Sequence, residues 1–137
     1  MVLFNPALSF DVNDVSPEKR KVINFGKRMG VEPREVSPAH HVSDETPPTI
    51  VLLGTEDYLR DGIKTFEAAM QKEGREVKVD WYEGRKHGFF NYRGKPSKDF
   101  LAALASADEF LQSLGYLEGP ARVDEYFKNA SLKPGGR

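Results

Sequence analysis

Apolar residues fall along this chain in three short runs separated by stripes of helical spacing. Val2–Phe4 is a brief apolar run halted by Asn5-Pro6. Thr49–Leu53 (TIVLL) is continuous and β-rich, entered through Pro47-Pro48 and left at Gly54, as expected of a strand buried on both faces. Val77, Val79 and Trp81 alternate with Lys78, Asp80 and Tyr82, which predicts a strand with two unlike faces and puts Trp81 in the core.

Helical periodicity fills the intervals. Ser16-Pro17-Glu18 has a cap residue, a proline at the first helical position and an acid in the first turn, and Val22, Phe25 and Met29 follow before Gly30. A second helix is predicted over roughly 60–73, with Ile63, Phe66 and Met70 on one face and Gly74 as its stop. A third runs from about Ser97 to Leu114, with Leu101, Leu104, Ala105, Phe110 and Leu111 in its stripe and Gly115 after it. Residues 31–48, with four prolines, read as irregular loop, and 116–137 as a weakly amphipathic extension (Val123, Tyr126, Phe127) ending in a Pro-Gly-Gly tail. The alternation of strand and helix predicts an α/β fold with a parallel sheet and helical crossovers over residues 1–115, with 116–137 as a partly flexible extension.

Composition narrows the classes without naming one. A chain of 137 residues is about one domain, and a formal net charge of −1 gives no field for a polyanion, so no nucleic-acid partner is expected. Lys19-Arg20-Lys21 is the sole basic cluster and reads as a wet helix face, since no aromatic residues interleave with it. Without cysteine there is no disulfide framework, thiolate metal site or cysteine nucleophile. No signal segment or membrane span is visible, so the location is open between cytoplasm and exterior, with no membrane partner expected. The start, MVLFNPAL, lies directly inside an apolar run, as in a chain cut from something longer.

In parallel sheets, ligands bind beyond the carboxyl ends of the strands. Asp57 lies just past the second predicted strand and His87, in EGRKHGFFNY, just past the third. Neighbouring loops would put them side by side. A histidine can take a proton from a hydroxyl, and a carboxylate on its other ring nitrogen fixes the tautomer and steadies the imidazolium. On position alone, a turn role for Asp57 and an ordinary loop role for His87 remain the favoured reading, because Asp after Gly-Thr is common turn chemistry. Glu56 is a second candidate acid, and Glu83 reads as solvated.

The motifs themselves tilt that balance. PPTIVLLGTEDYL (47–59), followed by YEGRKHGFFNY (82–92), resembles the C-terminal half of an α/β-hydrolase, closest to the acetyl-esterase-like and dienelactone-hydrolase-like branch. LFNPAL (3–8) resembles the sixth strand of that fold and VSPAHHV (36–42) the approach to its seventh. The resemblance spans about residues 2–114. It implies a partial α/β-hydrolase fold with about three parallel strands, equivalent to strands six to eight, and flanking helices. It also implies Asp57 as triad acid, His87 as triad base, a small ester as substrate of the complete enzyme, and no cofactor or metal.

The family's nucleophile, a serine in G-x-S-x-G on a strained turn, has no counterpart here, because none of the chain's serines has flanking glycines at that spacing. The expectation is therefore the acid and base of a serine ester hydrolase whose attacking residue lies upstream, with nil or very low activity for this chain alone. A prolyl-oligopeptidase-like peptidase is a weaker variant. The alternative is a non-catalytic binding or assembly domain, and an exposed strand edge predicts a homo-oligomer in either case. Phe89 and Phe90 are equally placed to line an acyl pocket or to cover the end of the sheet. His40-His41 reads as polar loop rather than a metal pair, since adjacent loop residues point apart.

Overall fold

The computed structural model describes residues 1–17 and 30–130. The helix expected from Ser16-Pro17 through Met29, with its Lys19-Arg20-Lys21 face, lies almost wholly outside them. The described residues fall into two compact units, divided between His87 and Gly88.

The first unit is built on a three-stranded parallel sheet in the order β1-β2-β3: β1 (Val2–Phe4), β2 (Thr49–Gly54) and β3 (Val77–Tyr82). Val2 pairs with Ile50 and Phe4 with Leu52, while Val51 pairs with Val79 and Gly54 with Tyr82. Every residue of β2 is buried, which is why this strand shows no alternation: it is the central strand, covered on both faces. Helix α1 (Arg60–Lys72) crosses over between β2 and β3, and its stripe of Ile63, Phe66 and Met70 packs with Val51, Leu53, Leu8 and Ala39. Leu3, Val77 and Val79 close the edges of that cluster. Its helix ends where Gly74, at φ 63°, adopts the left-handed turn that glycine tolerates.

Trp81 corrects one expectation. It is 37% exposed and takes no part in the core cluster, although Val77 and Val79 on the same face do. It stands near the carboxyl end of an outer strand with one strand neighbour, where periodicity still reads apolar but the cover has ended.

The second unit contains α2 (Lys98–Ser113) and α3 (Val123–Ala130). Ser97 caps α2, its hydroxyl accepting from the Phe100 amide at 3.1 Å, and Ala103, Ala107 and Phe110 are buried. Tyr92, Phe100 and Phe127 form an aromatic group, with Phe100 and Phe127 edge-to-face at 5.1 Å. The weak amphipathic signal near residue 123 thus marks a true helix. Among the described residues no helix is long and apolar enough to cross a membrane.

Candidate functional site

The loops that follow β2 and β3 are stitched together by backbone hydrogen bonds. Thr55 N–H donates to the Tyr82 carbonyl (3.0 Å) and Glu56 N–H to the Arg85 carbonyl (3.0 Å). Gly84 N–H returns a bond to the Thr55 hydroxyl (2.9 Å). This close approach demands Gly54: a Cβ built there would lie 2.0 Å from the Arg85 carbonyl oxygen. The glycine of Gly-Thr-Glu-Asp is therefore a packing requirement that lets the His87 loop lie against the Asp57 loop.

Asp57 is completely buried, yet its carboxylate is well served. Oδ1 accepts the Leu59 amide at 2.9 Å, the turn chemistry that the sequence suggested. Oδ2 accepts the side-chain amide of Asn5 and lies 3.0 Å from His87 Nδ1. A buried carboxylate is tolerated only when donors surround it, and here three do so. The two candidate roles for Asp57 are thus met by different oxygens of one group.

His87 is in the opposite situation. Its side chain is 43% exposed, and its ring rests on that of Tyr58, with centroids 4.9 Å apart and planes tilted by 34°. Because a carboxylate oxygen faces Nδ1, the hydrogen-bond network assigns the proton of the neutral ring to that nitrogen. Nε2, which has no partner among the described residues, then presents a lone pair outward. Chemically, the pair can accept a proton at Nε2 and stabilise the resulting imidazolium from behind.

Asn5 went unread in the sequence as anything but a strand stop. It sits just beyond the carboxyl end of β1, the same kind of position that singled out Asp57 and His87. Applied to all three strands, that rule would have found it. Glu56 and Glu83 are exposed, and the Glu56 side chain makes no bond to His87. Phe89 and Phe90 are half-buried, meet edge-to-face at 5.3 Å, and belong to the second unit.

The adjacent histidines do point apart. His41 Nε2 contacts the Glu35 carbonyl at 2.8 Å, whereas His40 Nε2 meets Asp14 Oδ2 at 2.8 Å and Asp11 Oδ2 at 3.7 Å. Asp11, Asp14 and His40 bring their ligating atoms within 4.8 Å of one another. The carboxylates are already occupied by protein donors: Ser9 Oγ on Asp14 at 2.5 Å and both Asn13 nitrogens on Asp11 at 2.9 Å.

A parallel sheet with a helical crossover defines an α/β framework, and comparison with known proteins assigns its family. Residues 19–91, just over half of the chain, match the α/β-hydrolase fold family, and the chain belongs to it. Among solved structures it is similar to the thermophilic esterase Est2 of the planctomycete Thermogutta terrifontis. The propionate-bound form is 34% identical with a TM-score of 0.71, the match covering 88% of this chain and 44% of that one. The butyrate-bound form is 36% identical (TM-score 0.70; 88% and 45% covered), and the form phosphonylated by sarin 34% identical (TM-score 0.74; 86% and 45% covered). The chain thus spans less than half the length of these esterases. No curated protein matches it.

Proposed function

We propose that this chain supplies the acid and the base of a serine ester hydrolase, with Asp57 orienting His87 and a serine outside residues 1–137 as the nucleophile. The observation behind this is the 3.0 Å contact between a fully buried carboxylate and an outward-facing imidazole at the ends of neighbouring parallel strands. In the assembled site His87 Nε2 would take the serine proton as the hydroxyl attacks an ester carbonyl, then return it to the leaving alcohol. The similar esterase is seen with propionate and with butyrate, which supports a short acyl group for the substrate.

An ester assay with p-nitrophenyl butyrate tests the reading. The chain alone is expected to turn over no faster than its His87→Ala variant. Joined to the remaining part of the Thermogutta esterase, it is expected to hydrolyse the ester, and His87→Ala should lower that rate by about 10⁴-fold or more. Turnover by the joined protein that survives His87→Ala would sink the role of His87.

A second reading, a non-catalytic assembly domain, is favoured by one feature: among the described residues β1 is an outer strand with β2 as its one strand neighbour. On that reading the chain associates through β1 and the acid–histidine pair goes unused. An active joined protein that depends on His87 would exclude it.

A further inference from the structure

We propose that Asn5 is a positioning residue: its amide holds Asp57 Oδ2 against His87 Nδ1 and so keeps the imidazole in the tautomer that leaves Nε2 open. This rests on the reading of His87 as a base and assigns a third residue to that machinery.

The geometry supports it at the carboxylate end of the Asp57–His87 bond. Asn5 Nδ2 donates to Asp57 Oδ2; it lies 3.5 Å from His87 Nδ1, and with the proton on Nδ1 both nitrogens are donors, so the carboxylate oxygen is what joins them. The residue is only 7% exposed, and its backbone is pinned, with φ at 44° and its N–H bonded to the Leu52 carbonyl at 3.0 Å. It is therefore held by β2, the strand that leads into Asp57.

A purely conformational role explains less. Asparagine suits a left-handed backbone, but glycine suits it better and would bury no amide. Asn5 Oδ1 is buried with no hydrogen-bond partner, so the side chain is not oriented for its own satisfaction. Turning the amide over would press that oxygen against a carboxylate. The nitrogen-side contact with Asp57 is what the orientation serves.

The consequence for the ring follows. Leu59 N–H anchors Oδ1 of the carboxylate, leaving Oδ2 free to swing unless something holds it. Asn5 is that second anchor. With Oδ2 fixed, Nδ1 keeps its proton and the Nε2 lone pair can accept another. With Oδ2 loose, the ring reverts toward the Nε2–H form that free imidazole prefers, which has no lone pair at the nitrogen that must act.

Ring-nitrogen NMR on the ¹⁵N-histidine-labelled 137-residue chain reads this directly, with His87→Ala assigning the His87 signals. At a pH where the ring is neutral, the unsubstituted chain should show the Nδ1–H signature. Asn5→Gly keeps the left-handed backbone without strain, and should shift the population toward Nε2–H. An unchanged tautomer in Asn5→Gly overturns the proposal. In the unsubstituted chain, the Asn5 side-chain amide resonances should move as His87 protonates, with the same midpoint; amide resonances that stay flat overturn it equally. Neither measurement uses turnover, so Asn5 can fail while His87 stands as a base. Failure of the base itself shows only in the ester assay.

Discussion

The carbonyl oxygen of Arg85 lies 2.0 Å from where a Cβ on Gly54 would sit. No L-residue with a side chain fits there unless the loop after β3 retreats, and that loop holds Glu56 by a backbone bond and leads in two residues to His87. Gly54→Ala is therefore expected to cost about 1–3 kcal/mol in urea unfolding. It should also shift the His87 ring signals, even though the substitution touches no polar side chain. Wild-type stability with unmoved His87 signals would show that the two loops are not locked.

Asp57 serves the fold as well as the site. Asp57→Ala leaves the buried Leu59 N–H and the Asn5 amide without their acceptor. An unsatisfied buried donor costs about 1–3 kcal/mol, so the denaturation midpoint should fall clearly even where no ester is present. A variant as stable as the parent would mean that water replaces the carboxylate at no cost.

Ser97→Ala probes the second unit. Removing the hydroxyl that accepts from the Phe100 amide should destabilise α2 by about 1 kcal/mol, read as a lower melting temperature.

Association through β1 is a prediction about one strand edge. Ile50 N–H bonds to the Met1 carbonyl and Asn5 N–H to the Leu52 carbonyl, so the intervening Val2 amide lies on the side away from β2. Val2→Pro removes that donor while sparing the β1–β2 ladder. In sedimentation at rising concentration the parent chain should associate and Val2→Pro should shift toward monomer. Identical profiles would place any association elsewhere.

Hydrophobic patterning exposed most of the framework. The unbroken TIVLL run announced a central strand, and the stripe of Ile63, Phe66 and Met70 gave α1 to within a residue. Strand-end position was enough to bring Asp57 and His87 to neighbouring loops, whereas their reading as acid and base came from the resemblance of their motifs and not from position. Trp81 was misjudged because period-2 alternation reports which face a side chain uses, and not whether anything covers that face. Asn5 was missed for a different reason. Its partner Asp57 lies 52 residues away in sequence, and no window along the chain contains that contact. The Gly54 requirement was hidden likewise, since the atom it makes room for belongs to another strand's loop.

Those long separations bear on when the site comes into being. The turn at Asp57 can form as soon as β2 and α1 exist, and β3 brings His87 from 30 residues away. Asn5 joins them only when β1 docks on β2 across the longest connection in the sheet, a closure that carries an added entropy cost. During synthesis or refolding, then, a chain could display its histidine before that histidine is properly armed. The Nδ1–H form of the ring would then be the sign that the first strand has found its place.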